Sequence, residues 1–126
     1  MTGDDPILFL LTGGIHSTAP VSVEPQIELS SWSARKLSDG DVHLVGWNIG
    51  SGEGRVSTAV TVFDAASCAA TTGTGRRYLL RGAPGADRDA EYVWNGWLRK
   101  YGIDDPWEDV TDCFWAQIEA ARPSPA

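Results

Sequence analysis

Glu53-Gly-Arg-Val-Ser-Thr-Ala-Val-Thr-Val-Phe-Asp64 is the stretch whose reading decides the fold. Val56, Thr58, Val60 and Val62 share one parity, and Arg55, Ser57, Ala59, Thr61 and Phe63 take the other. β-branched residues at a period of two specify a strand with one buried face. Gly50-Ser-Gly-Glu-Gly54 enters it as a loop, and Ala65-Ala-Ser67 leads out of it into more strand-like sequence.

Working outward toward the N-terminus, Val42–Ile49 reads as a strand with apolar residues on both parities, which suits a central position. Asp39-Gly40 marks a hairpin turn before it. Ile27–Lys36 alternates too, but its phase slips near Ser30–Ser31, where a β-bulge would restore it. Toward the C-terminus, Cys68–Thr72 and Arg76–Arg81 supply one or two more strands around Gly73-Thr-Gly75. Tight connections throughout imply an antiparallel meander of four to five strands.

The period then changes. Ala90, Val93, Trp94, Trp97, Leu98 and Tyr101 form a helical stripe, with Asp87 or Asp89 as cap and Gly102 as stop. Asp105-Pro-Trp-Glu108 has the form of a second helix start, its stripe running from Trp107 through Val110, Phe114, Ile118 and Ala121; alternatively Asp109-Val-Thr111 interrupts it, with Thr111 capping a shorter helix. Strands first and helices last give an α+β domain with two C-terminal helices packed on one face or end of the sheet. Residues 27–122 form that single domain, 1–26 a Pro- and Gly-punctuated flexible arm, and 123–126 a disordered tail.

Composition narrows the function. With 126 residues the chain suits one domain. Ten basic against 17 acidic residues give a net charge of −7, which argues against direct nucleic-acid binding. The one apolar run at the start, Ile7–Leu11, is too short to span a membrane and follows two Asp, so a cytoplasmic location is expected. Cys68 and Cys113 lack metal or redox spacing and read as buried thiols, and no cofactor or metal is implied.

No motif marks an enzyme. His43 beside Asp41 resembles a base with its orienting carboxylate but has no nucleophile, so a non-catalytic chain is expected. Gly73-Thr-Gly-Arg-Arg77, with Arg81, is a possible anion cradle. Residues 104–119 hold Asp104, Asp105, Glu108, Asp109, Asp112 and Glu119 without a Lys or Arg. Six Trp is a large number for this length, and Trp32, Trp107 and Trp115 are the ones expected to reach the surface.

Gly52-Glu-Gly-Arg-Val-Ser57, Thr72-Gly-Thr-Gly-Arg-Arg-Tyr78 with Leu80 and Gly82-Ala-Pro-Gly85, and Tyr92-Val-Trp94 with Trp97 resemble small bacterial proteins of unassigned function, over roughly residues 45–101. That resemblance implies no activity and no site. The expectation is an acidic interaction protein of the immunity-protein or phage-borne host-defence-inhibitor type. It would meet a basic protein partner through Trp32, Trp107, Asp109, Asp112, Trp115 and Glu119. The alternative is an anionic-ligand binder or small enzyme using Arg76, Arg77 and Arg81 beside a pocket between sheet and helices.

Overall fold

The computed structural model describes residues 24–122. The expected tail, and the expected arm apart from residues 24–26, lie outside that range. Described residues 24–26 are tied down: the Glu24 carbonyl accepts from Arg76 Nε at 2.9 Å, and that of Pro25 from the Arg77 amide, also at 2.9 Å.

The elements run β1 (Gln26–Lys36), β2 (Val42–Asn48), β3 (Glu53–Val56), β4 (Val60–Asp64), β5 (Ala69–Thr72), β6 (Arg77–Leu80), α1 (Arg88–Lys100), β7 (Glu108–Asp109) and α2 (Thr111–Ala121). The α+β class and the two C-terminal helices are as expected. The sheet is larger and mixed: its order is β3-β2-β1-β6-β5-β4, with β7 added beside β1, and β1 pairs with β6 in parallel.

One change of edge explains both differences. The run Glu53–Asp64 is two strands in one direction, because Ser57 interrupts it. The Ser57 hydroxyl accepts from the Leu44 amide at 2.8 Å and donates to the Thr58 carbonyl at 2.7 Å. A side chain thus takes the donor that a ladder carbonyl would have used. Beyond it the chain leaves β2 and pairs with β5.

Yet β3 and β4 are the two ends of the sheet. Laid flat, six strands would hold those ends about 24 Å apart, whereas the link from Val56 to Val60 spans at most about 14 Å. The sheet must therefore curl nearly into a barrel. With β3 and β4 as one bent strand, the meander has an odd number of strand directions. Its first and last members, β1 and β6, then meet in parallel.

The expected bulge lies in β1 between Ser30 and Ser33, with Ser31 at φ 45°. It adds one residue, so Ile27 and Leu29 before it and Trp32 and Ala34 after it enter the same core. Gly46 stands opposite. A Cβ there would lie 3.0 Å from the Ser30 carbonyl oxygen and 3.1 Å from Trp32 Cα.

Neighbours on a strand point to opposite faces, and the two cores divide accordingly. Ala34, Leu44, Tyr78 and Leu80 pack inside with Ile118, Phe114 and Trp115 of α2. Val45 packs outside with Ala90, Trp94, Trp97 and Leu98 of α1. The helices therefore cover opposite faces, not one. α1 is capped as read: Asp87 Oδ2 accepts from the Ala90 amide at 2.8 Å, and Gly102 follows at φ 63°.

The second helix is the shorter of the two alternatives, but Thr111 is its first residue and not its cap; Val110 holds the cap position without a side-chain hydrogen bond. Asp105 does not cap; its carboxylate accepts from the Ser38 hydroxyl at 3.0 Å. Glu108 and Asp109 pair with Lys36 and Arg35 as β7 instead. Thr111 Oγ1 then accepts from the Ala34 amide at 3.0 Å, carrying the cover of the β1 edge one residue further.

Candidate functional site

The acidic stretch begins where α1 ends. Gly102 turns the chain, Asp104–Asp109 crosses to the edge of β1, and α2 starts two residues later. Asp104, Asp105, Glu108, Asp109, Asp112 and Glu119 are all exposed. Arg35 pairs with Glu91 and Arg81 with Glu28, and among the described residues none of the six carboxylates has a cation in contact with it. Asp109 Oδ1 accepts from the Thr111 amide at 2.9 Å, which orients one carboxylate at the start of α2. On α2, Asp112, Trp115 and Glu119 follow at i, i+3 and i+7, so they share one side of the helix.

The tryptophans divide between the faces. Trp107, 37% exposed, lies edge-on to Trp94 with centroids 5.5 Å apart. Trp115 is half-buried on the opposite side of the sheet, 6.3 Å from Trp32 and beneath the Arg122 guanidinium at 4.9 Å. Trp32 is wholly buried, its indole N–H donating to the Gly82 carbonyl at 3.1 Å, and it offers no ring to a partner. The bulge that turns Trp32 inward is the reason. Trp107 and Trp115 therefore belong to different patches. Asp109 and β7 lie between them along the chain.

Beside Trp107 stands a cluster that alternation alone does not single out. Arg35, only 5% exposed, holds its guanidinium 4.8 Å from the Trp107 ring centre and 5.2 Å from that of Trp94. Its Nη1 and Nη2 donate to the two carboxylate oxygens of Glu91, and Nε donates to Ser33 Oγ at 3.2 Å. The visible signal was a lone Arg at a position that alternation places in a buried strand. Trp94 stacks on Trp97, which in turn meets Tyr101, 49% exposed. The buried Trp94 indole N–H has no acceptor among the described residues.

A cavity of about 270 Å³ opens between the β1–β2 turn and the segment after α1. Leu37, Ser38, Asp39, Gly102, Ile103, Asp104 and Asp105 line it. Carboxylates predominate among its polar groups, which disfavours an anion. The arginines of the expected cradle do not converge. Arg76 is buried and bonded to the Glu24 carbonyl, Arg77 is exposed and reaches Gln26 Oε1 at 3.4 Å, and Arg81 pairs with Glu28 at 2.6 Å.

His43 is buried. Its Nδ1 lies 2.8 Å from the Ser57 carbonyl and its ring 4.7 Å from Trp97, while Asp41 is out in the turn. Cys68 is half-buried, and Cys113, expected inside, is exposed on α2. Among the described residues no group of three or more His, Cys, Asp or Glu could hold a metal ion, and no helix is long and apolar enough to cross a membrane. No protein-family model, curated protein or solved structure matches the chain.

Proposed function

We propose that this is a non-catalytic interaction protein that binds a basic protein partner through the acidic stretch from Asp104 to Glu119. The observation that carries this reading is the exposure of all six carboxylates with no cation paired to any of them among the described residues. Unpaired charge of one sign accelerates encounter with an oppositely charged surface. Trp107 and Trp115 offer partly exposed rings at either side of Asp109, the kind of residue that holds a complex once formed. An immunity protein or a phage-borne inhibitor of a nucleic-acid-handling enzyme works by this means.

A small-ligand reading has one observation in its favour, the cavity beside Leu37. Its carboxylates suit a cation, not the anion expected from Arg76, Arg77 and Arg81.

The test is Asp109→Lys combined with Asp112→Lys. Both side chains are exposed. The variant is expected to keep the circular dichroism of the parent, to melt somewhat lower because the Asp109–Thr111 contact and the acid in the first turn of α2 are gone, and to lose the protein that the parent captures from lysate of its source organism. Capture of the same protein in the same amount by both forms would remove the acidic stretch from the interaction.

A further inference from the structure

We propose that Trp107 is a positioning residue. By stacking on Arg35 it pins the segment Asp104–Asp109 and so fixes where the carboxylates of that segment stand. The purpose of the pin rests on the interaction reading; the pin itself rests on geometry alone.

Asp104, Asp105, Pro106, Glu108 and Asp109 are all exposed and bury little against the domain. The Ser38–Asp105 hydrogen bond is solvent-exposed and competes with water. β7 is two residues long, too short to hold itself in place. Trp107 is the side chain of the segment that reaches the aromatic cluster, at 4.8 Å from the Arg35 guanidinium and 5.5 Å from Trp94. The guanidinium is a fixed anchor. Glu91 on α1 accepts from Nη1 and Nη2 and Ser33 on β1 accepts from Nε, and the two indoles lie against the guanidinium. A cation screened from water in this way holds an aromatic ring more firmly than an exposed one does.

Hydrogen exchange on the full chain tests this. In Trp107→Leu the amides of Glu108–Val110, including the Val110 N–H that donates to the Ala34 carbonyl at 2.9 Å, are expected to exchange about two- to thirty-fold faster. Amides within α1 and β2 should keep their rates. Trp107→Phe, which restores a ring face, should recover part of the protection. Unchanged exchange at Glu108–Val110 in Trp107→Leu, or an equal loss across α1 and β2, overturns the proposal.

The parent alone gives a second reading. In rising denaturant, Glu108–Val110 should open separately from α1 and before it. One concerted opening of both would also overturn the pin. Titration with a decalysine peptide separates the two ideas. Equal binding by the parent and by the Asp109→Lys, Asp112→Lys variant sinks the acidic-surface reading, whereas the pin stands or falls by exchange alone.

Discussion

A Cβ on Gly54 would lie 2.5 Å from the Ala90 amide nitrogen and 2.6 Å from the Asp89 carbonyl carbon, both of them helix backbone that no rotamer change can move. The same glycine donates its amide to Asp89 Oδ2 at 2.7 Å, so β3 and the first turn of α1 touch backbone to backbone. Gly54→Ala must push α1 outward, and overpacking of this kind costs about 1–3 kcal/mol. Calorimetry should show a melting temperature several degrees below that of the parent; an unchanged value would mean that α1 rides more loosely than its contacts indicate. Arg35 shows what a single residue hides from sequence. Alternation puts it with Ser33 on the face opposite Trp32 and Ala34, and only the arrival of Glu91, Trp94 and Trp107 from remote segments makes burial of that charge tolerable.

Elements with a strong local signal were legible, and those decided by distant hydrogen bonds were not. α1 carries its stripe, its cap at Asp87 and its stop at Gly102 within a single run, so periodicity and capping agree. The β1 bulge announced itself as a slip of phase. The break at Ser57 did not, because it depends on a hydroxyl meeting the Leu44 amide from another strand. The start of α2 was ambiguous for the same reason. Asp105-Pro106 has the local form of a cap, yet Ser38 occupies its carboxylate and β1 claims Glu108 and Asp109. Thr111→Val should accordingly cost about 1–3 kcal/mol, since it strips the acceptor from the Ala34 amide in a buried setting. Chemical denaturation measures this. A neutral result would show that water reaches the β1 edge and replaces the hydroxyl.

For the whole molecule, the α+β class was legible from strands preceding helices, whereas the curl of the sheet and the placement of helices on opposite faces were not. Both follow from the edge change at Ser57 and from the split of Leu44 and Val45 between two cores. Of the surface residues expected from composition, Trp32 is inside, while Asp109, Asp112 and Glu119 are out in solvent with Trp107 and Trp115 partly accessible. Burial of a tryptophan depends on a bulge and a distant carbonyl. Exposure of a run of acids needs only the cost of dehydrating them. The arginines of the expected anion cradle went separate ways because Arg76 points into the fold while Arg77 and Arg81 meet side chains of β1.

The most direct measurement is affinity capture of the tagged chain from lysate of its source organism at low and high salt, on the order of 0.05 and 0.5 M, with the bound proteins identified by mass spectrometry. The acidic-surface account predicts one stoichiometric basic protein whose recovery falls as salt rises. An empty capture with a stable, monodisperse bait, or a partner held equally well at both salt concentrations, would contradict it.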